Sequence, residues 1–179
     1  MITKSFKEYN SIEGSVVTIG TFDGIHLGHQ DIIHKLQEIS NKKKLKSIVL
    51  SFFPHPKIVL QNSTDIKLIN TLDEKVEILK KYNIDYFIIK EFTKKFSRLT
   101  ALEFVRDILV NTLNAKHLII GYDHHFGRNR GANIIQLREF GEIYDFEVTE
   151  ISPRKINDIS ISSTKIRALL KEGKIDYVN

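Results

Sequence analysis

The alternation of short β-rich runs with helical segments constrains most strongly what this chain can fold into. The β-rich runs are dense in Val, Ile and Phe, a composition typical of strands buried on both faces of a parallel sheet. They lie at Val16 to Gly20, Ser47 to Phe53, Tyr86 to Ile89, His117 to Gly121 and Phe146 to Ile151. Because strands that alternate with helices form parallel sheets covered on both faces, the sequence predicts an α/β fold.

Apolar spacing and capping signals place helices between these strands. The first predicted helix runs from about His29 to Ser40 and has apolar residues at spacings of three and four. The second follows Thr71 and the third follows Thr100, with Glu74 and Glu103 as capping-box partners. The inward positions of these three helices are Ile32, Ile33, Leu36 and Ile39, then Leu72, Val76 and Leu79, then Leu102, Val105 and Leu109.

Two further helices are predicted towards the C-terminus. One lies near Asn133 to Phe140, and the other begins around Ser163 and ends before Gly173, since glycine is a common helix terminator. Two connections, Pro54 to Asn70 and Lys90 to Leu99, are longer and more polar than simple turns. Long loops in a compact α/β domain usually serve a functional site.

The bulk properties of the chain narrow its function class. With 179 residues, of which 41% are hydrophobic, residues 1–179 are expected to form one domain. The chain has no apolar run of 18 residues and no secretion signal at its start, so we expect a soluble cytoplasmic protein with no membrane partner. The lack of cysteine excludes disulfides, thiolate nucleophiles and cysteine-ligated metals.

The formal charge of +5 and the pI near 9.3 favour an anionic partner, either a nucleotide or a nucleic acid. Much of the excess lies in runs such as Lys42-Lys43-Lys44, which are usually solvated surface. The interleaved basic and aromatic residues of a single-strand binding platform are missing, so a nucleic acid is the less favoured partner.

The segment that follows the first predicted strand carries the clearest motif, His26-Leu27-Gly28-His29. It matches neither the P-loop nor the G-x-G-x-x-G fingerprint. Gly28 permits close backbone approach, the helix start offers N–H donors, and imidazoles three residues apart can lie on one side, which suits an anionic phosphate. Alternatively, these are two surface imidazoles beside a turn; the strand before and the helix after favour the phosphate site.

Zinc binding by the same histidines is a further alternative that the sequence leaves open. The H-E-x-x-H pattern is missing, and no third ligand lies at a diagnostic spacing from His26 and His29. Zinc ligands elsewhere in the chain could in principle converge in the fold, namely His55, Asp123, His124 and His125.

Two later segments have the composition of phosphate-binding loops. In Ile161 to Arg167 one hydroxyl suffices to cap a helix, and Arg167 lies one turn after Ser163 and can lean towards the same helix start. The segment Ile120 to Gly131 follows a strand and carries Arg128 and Arg130 between glycines. Each segment alone is also compatible with ordinary surface, but three such loops in one small α/β chain favour a nucleotide site.

Taken together, these motifs resemble the FAD synthetase module of the bacterial bifunctional riboflavin kinase/FAD synthetase family. The resemblance rests on Gly20 to His29, Phe53 to Pro56, Gly121 to Gly131 and Ile161 to Arg167, and it covers nearly the whole chain. It implies the Rossmann-like, doubly wound fold of the nucleotidyltransferase superfamily. It also implies transfer of AMP from ATP to FMN, giving FAD and pyrophosphate by direct in-line attack with Mg²⁺ as cofactor.

By motif position, the resemblance assigns roles to individual residues. His26, His29 and Arg167 would be catalytic, and Mg²⁺ would be held mainly by phosphates, with no protein ligand assigned. The ATP-binding set would be Gly20, Phe22, Asp23, Gly28, Asp123, Arg128, Ser163 and Thr164, and the FMN-binding set Phe53, Pro54, His55 and Pro56. The chain departs from the family pattern at Phe53, at His124-His125 and at Ser160, which puts the loop contacts in doubt.

The family usually continues into a riboflavin kinase domain, which is absent from these residues. The chain is therefore expected to be a truncated form or a stand-alone synthetase, and to phosphorylate no riboflavin. Two alternatives stay open at this point. One is a nucleotidyltransferase with a different phosphorylated acceptor, and the other is a nucleotide- or nucleic-acid-binding module without turnover.

Overall fold

A six-stranded parallel sheet forms the centre of the computed structural model, which describes residues 1–10, 12–61, 66–156 and 159–177. The strand order is β1-β4-β3-β2-β5-β6, and every pairing in this sheet is parallel. The strands are β1 (Ile2–Ser5), β2 (Ser15–Ile19), β3 (Lys46–Phe53), β4 (Tyr86–Glu91), β5 (Ala115–Gly121) and β6 (Glu147–Ile151). The predicted α/β class is confirmed.

Helices connect the strands as the sequence predicts. They are α1 (Leu27–Lys43), α2 (Pro56–Gln61), α3 (Leu72–Lys80), α4 (Ala101–Glu103, continuing as a π-helix, Phe104–Val110), α5 (Ile134–Tyr144) and α6 (Ser163–Lys171). Short 3₁₀ turns lie at Phe96–Arg98, Arg128–Arg130 and Ile175–Tyr177. A small antiparallel pair, β7 (Lys155–Ile156) and β8 (Ile159–Ser160), precedes α6.

Alternate residues of the central strands fill two separate cores. Val16 and Val49 face one side of the sheet, where they pack with α1 and α3. Val17 and Ile48 face the other side, where they pack with α4 and α5. All four are fully buried, and each such side chain contributes about 1.5–3 kcal/mol. Because both faces are covered by helices, the sheet is doubly wound, as the sequence resemblance implies.

Local capping signals read from the sequence are present in the structure. Thr71 and Glu74 form a capping box at α3, and Thr100 and Glu103 form another at α4. The first helix begins at Leu27, two residues before its predicted start, because the His26 side chain occupies the N-cap position. Capping depends on residues within one turn of the helix start, and it can therefore be read without tertiary information.

The inward face predicted for α4 is partly wrong. Leu102 is 44% exposed, whereas Val105 and Leu109 are fully buried. From Phe104 onwards the helix is π-helical, as in the hydrogen bond from Asn111 N to Arg106 O at 2.9 Å. An i→i+5 turn is wider than an α-helical turn, and it changes which residues share a face.

The structure differs from the sequence prediction in one additional strand of the central sheet, in one additional helix and in the end of β4. β1, which forms the edge of the sheet beside β4, was not predicted. The expected long loop between Pro54 and Asn70 contains α2, while Lys90 still belongs to β4. Within the part of the chain that is described, no helix combines the length and apolar character needed to cross a membrane.

The strand order creates a switch point beside β2. The chain proceeds from β2 to β3 and β4 on one side of β2, and it then returns to place β5 on the other side. The loops after β2 and β5 therefore leave the carboxyl edge of the sheet in opposite directions. Open α/β sheets bind their ligands in the crevice that forms at such a point.

Candidate functional site

The β2–α1 loop (residues 20–26) is built into the protein core. Phe22, Asp23 and Ile25 are each at most 2% exposed. Phe22, Gly24 and Ile25 have φ angles of 48°, 85° and 35°, in the left-handed region. For the two residues with side chains this conformation costs about 1–3 kcal/mol each, so the surrounding contacts must hold the loop in place.

Asp23 is the residue through which three segments meet. Its Oδ1 accepts hydrogen bonds from the backbone N–H groups of Ile69 and Asn70, at 3.0 and 3.3 Å. Its Oδ2 accepts a hydrogen bond from Arg167 Nη2 at 2.7 Å, and its backbone carbonyl accepts one from Ser163 Oγ at 2.8 Å. This buried carboxylate thereby joins the β2–α1 loop, the segment before α3 and the start of α6.

Neighbouring hydroxyl groups at the start of α6 make different contacts. Ser162 is the N-cap and accepts a hydrogen bond from Lys165 N at 3.3 Å, so the next hydroxyl, that of Ser163, can contact Asp23. Arg167 reaches back to Asp23 from one turn further along the helix. The prediction that Arg167 leans back towards the helix start at Ser163 is confirmed. Thr164 is exposed, and its contact with ATP stays a prediction.

His26 and His29 stack on each other at the start of α1. Their ring centroids are 3.7 Å apart with planes 18° from parallel, and the His29 ring also lies 5.0 Å from the Phe22 ring. Burial lowers the pKa of His29 to about 3, and the charges of His26 and Lys75 act in the same direction. Burial also lowers the pKa of His26, against the opposing charges of Asp123 and Asp23. The pair therefore offers neutral imidazoles to a ligand.

Two glycines near these rings differ in how much space is available for a side chain. A Cβ on Gly20 would lie 3.1 Å from the Phe22 ring, which is a tight contact. A Cβ on Gly28 would lie 3.4 Å from the His26 ring, which is an ordinary contact. The packing within the protein therefore favours glycine at position 20, while the role of Gly28 towards a phosphate stays a prediction.

The β5–α5 loop (residues 122–133) forms the other side of the crevice. Its backbone is fixed by Gly127, where a Cβ would come within 2.9 Å of Ala101 N, and by paired hydrogen bonds between Phe126 and Ala132. Asp123 and Arg128 are exposed on this frame. The sequence prediction that both contact ATP stays untested by the geometry.

The His124 side chain of the β5–α5 loop turns inwards beside the buried Phe126. The His124 ring stacks on Phe126, with centroids 6.2 Å apart, and burial lowers the pKa of His124 to about 4. The neighbouring His125 instead donates a hydrogen bond from Nδ1 to the Asp123 carbonyl, 3.0 Å away. The two histidines thus point to different surroundings.

The histidines and carboxylates do not form a zinc site in the described ranges. Within residues 1–10, 12–61, 66–156 and 159–177, no three His, Asp or Glu side chains lie close enough to hold a metal ion. The Asp23 carboxylate is already bonded to Ile69, Asn70 and Arg167. A cation at this site would take its ligands mainly from phosphate oxygens, as Mg²⁺ does in many nucleotide sites.

The residues assigned to FMN lie at the end of β3 and the start of α2. Phe53 is 46% exposed, and Pro56 is the first residue of α2, a position that proline favours. His55 is buried, and its Nδ1 accepts a hydrogen bond from Lys57 N at 3.2 Å. Burial lowers the pKa of His55, and the charge of Arg167 adds to this effect. Flavin contact by Phe53, Pro54, His55 and Pro56 stays a prediction.

Sequence reasoning missed Lys75. Its Nζ donates a hydrogen bond to the Thr21 carbonyl at 2.6 Å, and the residue is only 8% exposed. Its spacing from Leu72 and Leu79 places a lysine on the inward face of α3, and a charged residue at such a position is a signal that could have been noticed.

Comparison with known proteins identifies the family to which this chain belongs. The sequence profile of the FAD synthetase family matches residues 8–165. The chain belongs to this family. Among its relatives is the bifunctional riboflavin kinase/FMN adenylyltransferase of Buchnera aphidicola subsp. Acyrthosiphon pisum, 42% identical over 96% of this chain. An FAD synthetase of Listeria monocytogenes is 35% identical over 89% of this chain.

The chain spans only part of the length of these relatives. The chain spans 54% of the Buchnera protein and 64% of the Listeria protein. A solved structure described as a macrolide-efflux protein from Streptococcus pneumoniae has a TM-score of 0.84 and 30% identity. That match covers 94% of this chain and 56% of the other. The fold described above is therefore shared with a larger protein.

Proposed function

We propose that this chain is an FMN adenylyltransferase that transfers AMP from ATP to FMN. Membership of the FAD synthetase family supports this reaction. The structural observation that carries the proposal is the Asp23 junction, which brings the β2–α1 loop and α6 together at the switch point of the sheet. Ligands of open α/β sheets bind at this location.

The proposed reaction is an adenylyl transfer by direct displacement at the α-phosphorus of ATP. A phosphate oxygen of FMN attacks the α-phosphorus of ATP, the bond from that phosphorus to the β-phosphate oxygen breaks, and pyrophosphate leaves with the electron pair. Such a step requires little covalent participation by the protein, because positioning and charge stabilisation supply most of the rate enhancement. This suits a chain that contains no cysteine.

The start of α1 supplies neutral donors for the transferring group. Burial keeps the pKa of His29 near 3, so that its ring is uncharged at neutral pH and donates one N–H. Its buried Nδ1 has no hydrogen-bond partner in the described part of the chain. We assign His26, His29 and the first N–H groups of α1 to the phosphate oxygens, where preorganised donors are most effective.

Arg167 can serve Asp23 and a phosphate simultaneously. Its Nη2 is bonded to Asp23, and its Nε is buried with no partner among the described residues. A guanidinium presents five N–H donors in a planar fork, so one edge can hold the carboxylate while another faces the triphosphate. Ser163 is anchored in the same way through the Asp23 carbonyl.

Mg²⁺ enters the proposal as part of the nucleotide substrate. Because the described residues form no preassembled cluster of metal ligands, the ion would be held by phosphate oxygens of ATP. When bound, it neutralises charge on those oxygens. Holding the triphosphate itself falls to Arg167, Ser163 and the start of α1.

The test is to incubate the chain with MgATP and FMN and to follow FAD by chromatography, with release of pyrophosphate measured in parallel. Phosphopantetheine and nicotinamide mononucleotide replace FMN in matched reactions. FAD formation with FMN alone is the expected result. Turnover with a different acceptor would identify another nucleotidyltransferase, and ATP binding without pyrophosphate release would identify a binding module.

Two further expectations from the sequence stay predictions. Riboflavin and ATP are expected to give no FMN with these residues, which the same chromatography tests. A cytoplasmic location is expected and can be examined by cell fractionation.

A further inference from the structure

Lys75, which contacts the β2–α1 loop through Thr21, is not among the residues assigned to ATP or FMN. Lys75 lies on the inward face of α3 with 8% exposure, next to Leu79 and Leu72 in the helical spacing. Placing an ammonium group in such a position is costly, and an aliphatic side chain would fill the same space without that cost. Lys75 therefore requires an explanation beyond packing.

The hydrogen bond of Lys75 acts on the peptide group before Phe22. Its Nζ donates to the Thr21 carbonyl at 2.6 Å, and Ser51 Oγ donates to the same oxygen at 3.3 Å. Phe22, the next residue, has a left-handed backbone conformation with φ of 48°. Orienting the Thr21 carbonyl fixes the peptide plane from which this strained residue continues.

Phe22 in turn borders the predicted catalytic ring. Its side chain is fully enclosed, and its ring lies 5.0 Å from that of His29. A Cβ on Gly20 would lie only 3.1 Å from the Phe22 ring. With so little free space, a change in the Thr21–Phe22 peptide is transmitted to the His29 imidazole.

Lys75 also changes the charge balance beneath the loop. Asp23 contributes one buried negative charge, while Arg167 and Lys75 contribute two positive charges nearby. The charge of Lys75 helps to keep the pKa values of His29 and His55 low, after the larger effect of burial. An excess of positive charge at this place favours an anionic ligand above it.

We propose that Lys75 is a positioning residue for adenylyl transfer: it holds the Thr21 carbonyl and thereby orients Phe22 and the His29 ring towards the reacting phosphate. This inference rests on the proposed function. It assigns Lys75 no direct contact with substrate, so its removal should affect kcat more than the KM for ATP or FMN.

The kinetic test compares three variants under MgATP and FMN. Lys75→Met retains the aliphatic stem but removes the donor, and we expect kcat to fall by about 10²-fold, the order expected when a reacting group is misplaced. Lys75→Gln restores an N–H donor and should recover about tenfold of that loss. Lys80→Met is the matched control, since Lys80 lies on the same helix in an exposed pair with Glu77, and its kcat should equal that of the wild type.

A spectroscopic measurement separates this inference from the proposed function. In histidine-labelled protein, the His29 ring NMR signals should move in Lys75→Met and return towards wild-type positions in Lys75→Gln. Lack of FAD formation by the wild type would overturn the proposed function, whereas the NMR comparison would still report whether Lys75 orients the ring. Unchanged His29 signals, or a Lys75→Met kcat within about twofold of the wild type, would overturn the role of Lys75.

A second variant covers the case in which Lys75→Met does not fold. Ser51→Ala removes the longer of the two hydrogen bonds to the Thr21 carbonyl. It should move the same His29 signals in the same direction and lower kcat by a few-fold, since the shorter bond from Lys75 is still present. Wild-type spectra and kcat in Ser51→Ala would contradict the proposal.

Discussion

The β2–α1 and β5–α5 loops flank the same crevice but are built in different ways. The β2–α1 loop is buried, and Asp23 bonds it to two other segments. The β5–α5 loop has a fixed backbone, yet Asp123 and Arg128 stand exposed upon it. Buried, preorganised groups stabilise a transition state without rearranging, whereas an exposed arginine loses rotamer freedom when it binds. The first loop should therefore govern the rate, and the second should govern substrate affinity.

The largest expected effect comes from breaking the buried junction. Asp23→Asn removes the charge that Arg167 pairs with, leaving a cation with only 20% of its side chain exposed. We expect the free energy of unfolding to fall by about 3 kcal/mol, because breaking one partner of a buried pair leaves the other uncompensated. Urea unfolding measures this loss. Asp107→Asn, in the exposed Arg106–Asp107 pair, is the control and should show no resolvable change.

If Asp23→Asn lowers the free energy of unfolding by less than about 1 kcal/mol, the Asp23–Arg167 pair contributes no more than an ordinary surface ion pair. It would also remove the structural distinction between the two loops.

The next effect concerns the rate itself. His29→Ala should lower the rate of FAD formation by at least about 10²-fold, since it removes one preorganised donor from the start of α1, directly after the buried loop. His34→Ala, an exposed histidine on the same helix, is the matched control and should retain the wild-type rate. If both variants turn over at the same rate, the stacked His26–His29 pair is structural.

The pH dependence of stability tests the inward-facing imidazole of the second loop, that of His124. The pKa values of His29 and His124 are lowered to about 3 and about 4, below the value near 6.5 of an unfolded chain. Between these limits the unfolded chain binds more protons than the folded one, so the free energy of unfolding decreases as pH falls. Each ring contributes a slope of about 1.4 kcal/mol per pH unit.

The experiment compares urea unfolding at pH 5 and pH 6 for the wild type and His124→Asn. The variant should lose about 1.4 kcal/mol per pH unit of the wild-type slope. His125→Asn, whose ring is exposed, is the control. An identical slope in the wild type and His124→Asn would show that His124 is not enclosed in solution.

The smallest expected effect lies in the exposed loop. Arg128→Ala should raise the KM for ATP about fivefold and leave kcat nearly unchanged, because an exposed charge contributes modestly and equally to ground and transition states. Steady-state kinetics at fixed FMN measure this change. Arg138→Ala on α5, an exposed arginine paired with Glu150, is the control. A fall in kcat as large as that of His29→Ala would contradict the division between the loops.

The sequence predicts most of the scaffold because its signals are local. The β-rich runs correspond to five of the six strands of the central sheet, and the capping boxes at Thr71 and Thr100 define two helix starts. The short edge strand β1 is not predicted, since its pairing with β4 depends on residues that are distant in the sequence. The π-helical part of α4 is not predicted either, because the prediction from apolar spacing assumes an α-helical turn.

The site follows the same division. Placing the loops after β2 and β5 at one sheet edge follows from strand–helix alternation, and the Ser163–Arg167 spacing correctly indicates that Arg167 leans towards the start of α6. The bond from Arg167 to Asp23 joins residues 144 positions apart, and that from Lys75 to Thr21 joins residues 54 apart. Residue types and spacing therefore determine the elements and the candidate groups. Tertiary packing alone decides which charges are buried together, because desolvation and pairing depend on distant segments meeting in space.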